Sequence, residues 1–248
     1  MILVPEWEAP PWVRCFTTTR SGGVSTGAYE SLNLGAHVGD ELAQVQTNRQ
    51  LVQSQEWDTP PLWLGQCHGT DVVRAEDWPP DDRIPQADGS VTVVPGRPLV
   101  VMTADCLPVV ACDRSGTVVG VFHAGWKGLL AGILEAGVKA LRRRPQEILV
   151  WIGPCVGQDS YQVGPEVRQA YLAADDGYGA NFQADGPGHW KFDLAGAAIH
   201  LLARLGVAAV TRSPWDTYLD VDRFFSHRRQ GPCGRQGTFV WLAKRSLS

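Results

Sequence analysis

The chain has 248 residues, a formal net charge of -4 and 44% hydrophobic residues, enough apolar side chains to fill the core of one large domain. Its 22 lysines and arginines are spread along the sequence, which excludes the basic surface of a nucleic-acid-binding protein and a polybasic membrane anchor. The apolar runs are shorter than the roughly 18 residues of a membrane span, and the first residues lack the features of a signal peptide. We therefore expect a single domain over residues 1–248, a cytoplasmic location, a monomer and a small-molecule substrate.

Apolar periodicity predicts helices and strands in alternation, which is typical of the mixed α/β class. The first part of the chain is predicted to contain a helix over 41–56, an exposed loop over 78–85 and a buried strand over 98–102. The middle part is predicted to contain a strand over 117–122, a helix over 129–144 and a strand over 147–152, which together form a right-handed crossover. The last part is predicted to contain a helix over 194–205 and strands over 207–211 and 238–242.

Two imidazoles and a thiol follow apolar segments of this pattern. His68 lies in Gln-Cys-His-Gly, Cys106 follows the strand over 98–102, and His123 ends the strand over 117–122. Ligands of α/β sheets collect beyond the carboxyl ends of strands, so we expect the three side chains to meet at one edge of a sheet. Three such protein ligands leave one tetrahedral position open, which is typical of a catalytic zinc. Taken singly, each residue also fits a buried core position.

The neighbouring residues extend this hypothesis. Asp105, next to the thiol, is a candidate for proton transfer. Cys67 is expected to point away from His68 and to pack in the core, because successive side chains of a strand alternate between faces. All six cysteines are expected to be reduced, since they are irregularly spaced and form no Cys-x-x-Cys pair. Two glycine- and arginine-containing loops, 18–25 and 224–231, could bind anions or could be solvated surface.

Motifs along nearly the whole chain resemble those of the YfiH and laccase-domain family. They include the contexts of His68, Cys106 and His123 and the segments 19–25, 31–35, 37–40, 48–49, 153–154, 161–164 and 224–229. The resemblance implies a single-domain layered α/β sandwich of the YfiH-like type. It also implies a zinc site formed by His68, Cys106 and His123. This sequence differs from the family pattern in having Cys67 for valine, Lys127 for arginine and His227 for tyrosine.

The activity that the resemblance implies is phosphorolysis of adenosine, inosine, guanosine and methylthioadenosine, with phosphate as the second substrate, together with deamination of adenosine. Asp105, Cys106 and His123 are then the candidate catalytic residues. Five further residues match motif positions that could line the substrate pocket: Arg20, Asn33, Arg49, His227 and Arg228. The usual zinc-deaminase signature, His-x-Glu with Pro-Cys-x-x-Cys, is absent, so deamination would use a different kind of site.

Other functions remain open from the sequence. A set of two histidines and a cysteine also suits copper, and the family name suggests polyphenol oxidation, but six histidines without a His-x-His pair argue against a multicopper centre. A cysteine hydrolase acting in peptidoglycan precursor editing would use Cys106 as nucleophile, His123 as base and Asp105 as acid. A metal-stabilised binding protein would need the ligands but no turnover. Removal of the metal separates the zinc enzyme from the cysteine hydrolase, because it abolishes zinc catalysis and spares thiol catalysis.

Overall fold

The computed structural model describes residues 2–79 and 83–244 and has the mixed α/β architecture that the sequence predicts. The helices are α1 Leu42–Leu51, α2 Trp126–Ala131, α3 Ile133–Leu141, α4 Pro165–Ala174, α5 Leu194–Arg204 and α6 His227–Gln230. The strands are β1 Ile2–Leu3, β2 Val13–Thr18, β3 Val72–Arg74, β4 Gly89–Thr92, β5 Leu99–Thr103, β6 Leu107–Asp113, β7 Val119–Ala124, β8 Ile148–Ile152, β9 Gln162–Val163, β10 Phe182–Ala184, β11 Trp190–Phe192, β12 Ala209–Arg212 and β13 Gln236–Leu242. Part of the predicted loop over 78–85, residues 80–82, lies outside the described residues.

Two large sheets form the centre of the fold. The main sheet has the strand order β12-β8-β6-β7-β4-β3, and the second sheet has the order β1-β2-β13-β5. β6 pairs antiparallel with both β7 and β8, so β7 and β8 run parallel to each other on either side of it. The predicted strand-helix-strand unit is therefore present, but its two strands are not adjacent.

Alternating side chains of the main sheet join two different cores. Val109 and Ala111 of β6 face a cluster with residues of α3 and α5, whereas Val110 and Cys112 face a cluster shared with the second sheet. This alternation follows from the two-residue period of a strand. Helices, main sheet and second sheet therefore form successive layers, which confirms the predicted layered sandwich.

The helix bounds differ from the sequence prediction at two places. α1 ends at Leu51 and not at residue 56. The helix predicted over 129–144 begins earlier, at Trp126, ends earlier, at Leu141, and is divided into α2 and α3 by Gly132, whose φ is 107°. Glycine adopts this left-handed conformation without the steric cost of a side chain, and it is a common terminator of helices. The apolar periodicity continues past Gly132 and therefore concealed the break.

None of the helices in residues 2–79 and 83–244 combines the length and apolarity that a membrane-spanning helix needs.

Candidate functional site

The structure brings His68, Cys106 and His123 together. Their potential ligand atoms lie within 4.8 Å of one another. The Sγ of Cys106 lies 3.8 Å from Nε2 of His68, and the centroids of the two imidazole rings are 4.7 Å apart. Two nitrogens and one sulfur at these separations form a compact donor set for a single metal ion.

The sequence suggested that the three side chains come from one edge of a sheet. The structure places them on different elements instead. Cys106 lies in the connection that leaves the second sheet after Thr103 and enters the main sheet at Leu107. His123 lies inside β7, opposite Pro108 of β6. His68 belongs to the loop before β3, and its φ of 62° places it in the left-handed region. The site therefore lies where the two sheets meet.

Asp88 holds the backbone at His68 and the imidazole of His123 in place, and no sequence pattern pointed to it. Its carboxylate is completely buried and accepts hydrogen bonds from the backbone N–H groups of Cys67, His68 and Gly69, at 3.1, 3.0 and 2.7 Å. The same carboxylate lies 2.8 Å from Nδ1 of His123, which leaves Nε2 of that ring for a metal. A carboxylate behind a histidine ligand is a frequent partner in zinc sites, where it orients the ring. Burial raises the pKa of Asp88, but His123 and the backbone N–H groups outweigh burial and hold it well below its usual range.

Cys106 and His123 also interact electrostatically. Burial raises the pKa of the Cys106 thiol, but His123 and His68 outweigh this effect and lower it to about 6. Burial lowers the pKa of His123, whereas Cys106 and Asp88 raise it to about 9. The metal-free site therefore contains a thiolate beside an imidazolium at neutral pH. A thiolate is also the form of cysteine that binds metals.

This ion pair predicts the pH dependence of alkylation. Iodoacetamide should modify Cys106 of the zinc-free protein with a midpoint near the thiol pKa of about 6, because alkylation requires the thiolate. The exposed Cys67 is an internal control in the same loop region, since its hydrogen bond to Asp88 raises the pKa of its thiol. Mass spectrometry after timed alkylation at a series of pH values measures both. A Cys106 midpoint above about 8 would contradict the ion pair.

Asp105 lies behind the site and not in the cavity. Its φ of 88° is unusual for a residue with a side chain. One carboxylate oxygen accepts a hydrogen bond from Oγ1 of Thr217 at 2.7 Å, and the other accepts one from the backbone N–H of Arg228 at 2.6 Å. The side chain thus fixes the backbone next to Cys106 and the start of α6. Its predicted part in proton transfer stays a prediction.

A cavity of about 270 Å³ opens beside the three candidate ligands. Its lining residues are His37, Gln66, His68, Met102, Thr103, Ala104, Cys106, His123, His227 and Arg235. Four of the six histidines of the chain are among them. No carboxylate is among the described residues that line it, so the cavity favours an anionic ligand.

The residues predicted to bind substrate lie in different surroundings. His227 lines the cavity, and the guanidinium of Arg228 lies over the ring of Tyr161 at 5.1 Å from its centroid. Arg20 donates to the carbonyl oxygen of Glu30 and is not among the cavity residues.

Asn33 and Arg49, also predicted to bind substrate, hold a neighbouring loop. The side-chain oxygen of Asn33 accepts hydrogen bonds from the backbone N–H groups of Gly35 and Arg235, at 2.9 Å each. Arg49 donates to the carbonyl oxygen of Leu34 and lies 3.7 Å from the centroid of the Trp63 ring. Burial lowers the pKa of Arg49 to about 10. Both side chains lie behind the cavity wall.

The prediction that Cys67 packs in the core is wrong. Its side chain is exposed, and Sγ lies 3.3 Å from a carboxylate oxygen of Asp88. The segment is not an extended strand, because the chain turns at His68 and wraps around Asp88. The alternation rule for strands therefore does not apply to this pair of residues.

Comparisons with known proteins find relatives along nearly the whole chain. The sequence model of a family described as multi-copper polyphenol oxidoreductase laccase matches residues 14–243. A purine nucleoside phosphorylase of Pseudomonas aeruginosa is 44% identical over 241 residues, which cover 97% of this chain and 98% of the relative. The purine nucleoside phosphorylase YfiH of Escherichia coli is 41% identical over 242 residues, with 97% and 98% covered.

Two solved structures show the same architecture. A Neisseria meningitidis protein superposes with a TM-score of 0.94 at 41% sequence identity, covering 98% of this chain and 99% of that protein. YlmD from Geobacillus stearothermophilus superposes with a TM-score of 0.83 at 30% identity, covering 95% and 94%. The chain therefore belongs to the laccase-domain family that includes the YfiH-type purine nucleoside phosphorylases.

Proposed function

We propose that the protein is a zinc-dependent purine nucleoside phosphorylase that accepts adenosine, inosine, guanosine and methylthioadenosine and also deaminates adenosine. The observation that carries the proposal is the donor set of His68, Cys106 and His123 in the wall of a cavity that Arg235 and two further histidines also line. Such a cavity suits phosphate and a metal-assisted reaction. The names of the relatives in Pseudomonas aeruginosa and Escherichia coli support the same reaction.

The donor set fits zinc. Two imidazole nitrogens and one thiolate are common zinc ligands, and they leave a fourth position for water or substrate. The hydrogen bond that Nδ1 of His123 donates to Asp88 supplies the outer partner that zinc-bound histidines usually have. Zinc bound here would supply a Lewis acid and lower the pKa of a bound water.

Copper could use the same donors, but a multicopper centre has little support. The two histidines outside the cavity have other partners: His189 lies 3.0 Å from the carbonyl oxygen of Pro187, and His200 lies 2.8 Å from Asp175. Outside the donor set, only His37 and His227 of the six histidines then remain, too few to build a second and a third copper site. Copper-dependent oxidation of polyphenols is therefore the less supported reading.

Phosphorolysis requires that the protein hold phosphate next to the nucleoside and protonate the departing purine. A phosphate oxygen forms a bond to C1′ of the ribose while the bond from C1′ to N9 of the purine breaks. The electron pair leaves with N9, the purine takes up a proton, and the sugar becomes ribose 1-phosphate. Positive side chains can hold the phosphate, and an imidazole such as that of His227 can provide the proton.

A cysteine hydrolase acting on peptidoglycan precursors is the second candidate. The observation in its favour is the closeness of Cys106 to His123, which lowers the pKa of the thiol to about 6 and so favours a thiolate nucleophile in the metal-free site. A bound metal would occupy the nucleophile, so chelation should preserve or increase hydrolase activity. Under the phosphorylase proposal, chelation abolishes turnover and added zinc restores it.

A product assay tests the proposal. Zinc-loaded wild-type protein should convert inosine and adenosine to purine base and ribose 1-phosphate in equal amounts, and only with phosphate present. Cys106→Ala should lose zinc, and its rate should fall by at least about 100-fold. Even outer partners of metal ligands contribute about 10- to 100-fold to metal affinity or activity, and a direct ligand contributes more. Chromatography of the products and metal analysis of each variant provide the measurements.

The exposed neighbour Cys67 offers a matched control. Cys67→Ala removes a thiol close to the site without removing a candidate ligand, so zinc content and rate should stay near those of the wild type. Absence of phosphorolysis by zinc-loaded wild-type protein would refute the main proposal. Release of inosine and ammonia from adenosine without phosphate tests the deaminase part separately.

A further inference from the structure

The cavity is lined by basic side chains beyond those of the candidate metal centre. Four histidines and one arginine line it, and His68 and His123 belong to the group that could hold a metal. His37, His227 and Arg235 remain. A cavity wall with three further basic side chains and no carboxylate among the described lining residues calls for an anionic ligand.

The side chain of His37 lies among other basic groups. His37 lines the cavity. Burial of its ring lowers its pKa, and Arg235, Arg49 and His123 lower it further. The charged groups that act on the ring are thus all basic. An anion bound between them would relieve their mutual repulsion.

Arg235 is held so that part of its guanidinium stays available. Its Nη1 donates to the carbonyl oxygens of Cys233 and Gly234, at 2.8 and 3.0 Å. Asn33 binds its backbone N–H, and a Cβ at Gly35 would lie 2.8 Å from its Cγ, so the loop fits closely around its stem. Within the described residues, the hydrogen bonds of this guanidinium all come from Nη1, which leaves Nε and Nη2 for a ligand.

Thr103 adds a neutral donor at the end of β5. Its side chain is 1% exposed and lines the cavity, and its hydroxyl has no hydrogen-bond partner among the described residues. An unpaired buried hydroxyl is costly, and such groups are rare in folded proteins. A ligand oxygen in the cavity would satisfy it.

We propose that Arg235, Thr103 and His37 form the subsite that binds phosphate as the second substrate. A guanidinium edge, a hydroxyl and an imidazole together present several donors to one tetrahedral oxyanion. His68, Cys106 and His123 remain for the metal. The inference rests on the proposed function, because it assigns the place of the phosphate in that reaction.

Substitutions that preserve shape test the subsite. Thr103→Val replaces the hydroxyl with a methyl group, and Arg235→Lys keeps the charge but loses the planar fork. Each should raise KM for inorganic phosphate by about 10-fold, the loss expected for one hydrogen bond to a charged group, while KM for inosine changes less than about two-fold. Thr103→Ser should restore the wild-type KM for phosphate, which a purely structural role of the side chain would not predict.

A control and a binding measurement separate this inference from the function on which it rests. Thr211→Val, on β12 and outside the cavity, should leave both KM values unchanged. Calorimetric titration of zinc-loaded protein with inorganic phosphate alone measures the subsite without turnover. Weaker phosphate binding in Thr103→Val and Arg235→Lys supports the subsite even if the wild type does not turn over nucleosides.

Two outcomes would overturn the subsite. Phosphorolysis with an unchanged KM for phosphate in both variants would refute it and leave the proposed function standing. Phosphate binding that is lost on zinc removal and is insensitive to both variants would place the anion on the metal instead.

Discussion

Asp88→Asn is expected to weaken zinc binding by about 10- to 100-fold, with a parallel loss of turnover at limiting zinc. The buried carboxylate serves three backbone N–H groups and Nδ1 of His123. Asparagine has one acceptor oxygen and presents an N–H₂ group in place of the other. At least one buried donor then faces another donor, which lowers the free energy of unfolding by about 1–3 kcal/mol. Competition with a chelating indicator measures the zinc affinity, and urea unfolding of the metal-free protein measures the stability.

Asp71→Asn is the matched control for this change. Asp71 is an exposed aspartate that follows the same loop, so its substitution should leave zinc affinity and stability near wild type. The pH dependence adds a second readout. Folding lowers the pKa of Asp88, so its stabilising contribution is complete above the unfolded pKa of about 4 and is lost as the pH falls below it. Stability of the wild type should therefore fall more steeply in acid than that of Asp88→Asn, and equal slopes would contradict the role given to Asp88.

Gly125→Ala is expected to lower zinc affinity and activity by at least about 100-fold, more than the loss of an outer partner. A Cβ at this position would lie 2.7 Å from Cδ2 of His68 and 3.0 Å from Sγ of Cys106. The backbone of Gly125 has φ -74° and ψ 169°, which alanine adopts freely. The added methyl group therefore acts by displacing two candidate ligands and not by straining the chain.

Gly179→Ala provides the comparison for the added methyl group. A Cβ there would have its nearest neighbour at 3.5 Å, an ordinary van der Waals contact with Leu172. Zinc titration of the two variants side by side should show a loss in Gly125→Ala alone. Wild-type zinc affinity in Gly125→Ala would mean that His68 and Cys106 do not bind the metal together in this geometry.

Strands that are continuous apolar runs could be predicted from the sequence, because burial on both faces leaves a simple pattern. The strands near 98–102, 147–152 and 238–242 are present with bounds that shift by two residues or less. The order of the strands in the sheets could not be predicted, since it depends on pairing between distant segments. Gly132 was missed because one residue in a left-handed conformation does not interrupt the periodicity of the apolar side chains.

The three candidate ligands could be found from the sequence because histidine and cysteine are rare and have a specific chemistry. Asp88 could not be found in this way, since it is one of 26 acidic residues. Its role depends on hydrogen bonds from a loop that lies some twenty positions earlier in the chain. Asn33 illustrates the opposite limit: its motif was recognised, but its amide is engaged with Gly35 and Arg235. A motif shows that a position is important. It does not show whether the side chain contacts the ligand or fixes another residue that contacts the ligand.

The position of β13 in the second sheet determines when that sheet can be completed during folding. Although it is the last strand, it lies between β2 and β5 and pairs with both. During synthesis, β2 and β5 leave the ribosome long before the strand that joins them, and such distant pairings form slowly. Arg235 immediately precedes β13, so one wall of the cavity arrives with that strand. An unfinished chain thus carries the candidate metal ligands but has neither a closed second sheet nor a complete cavity.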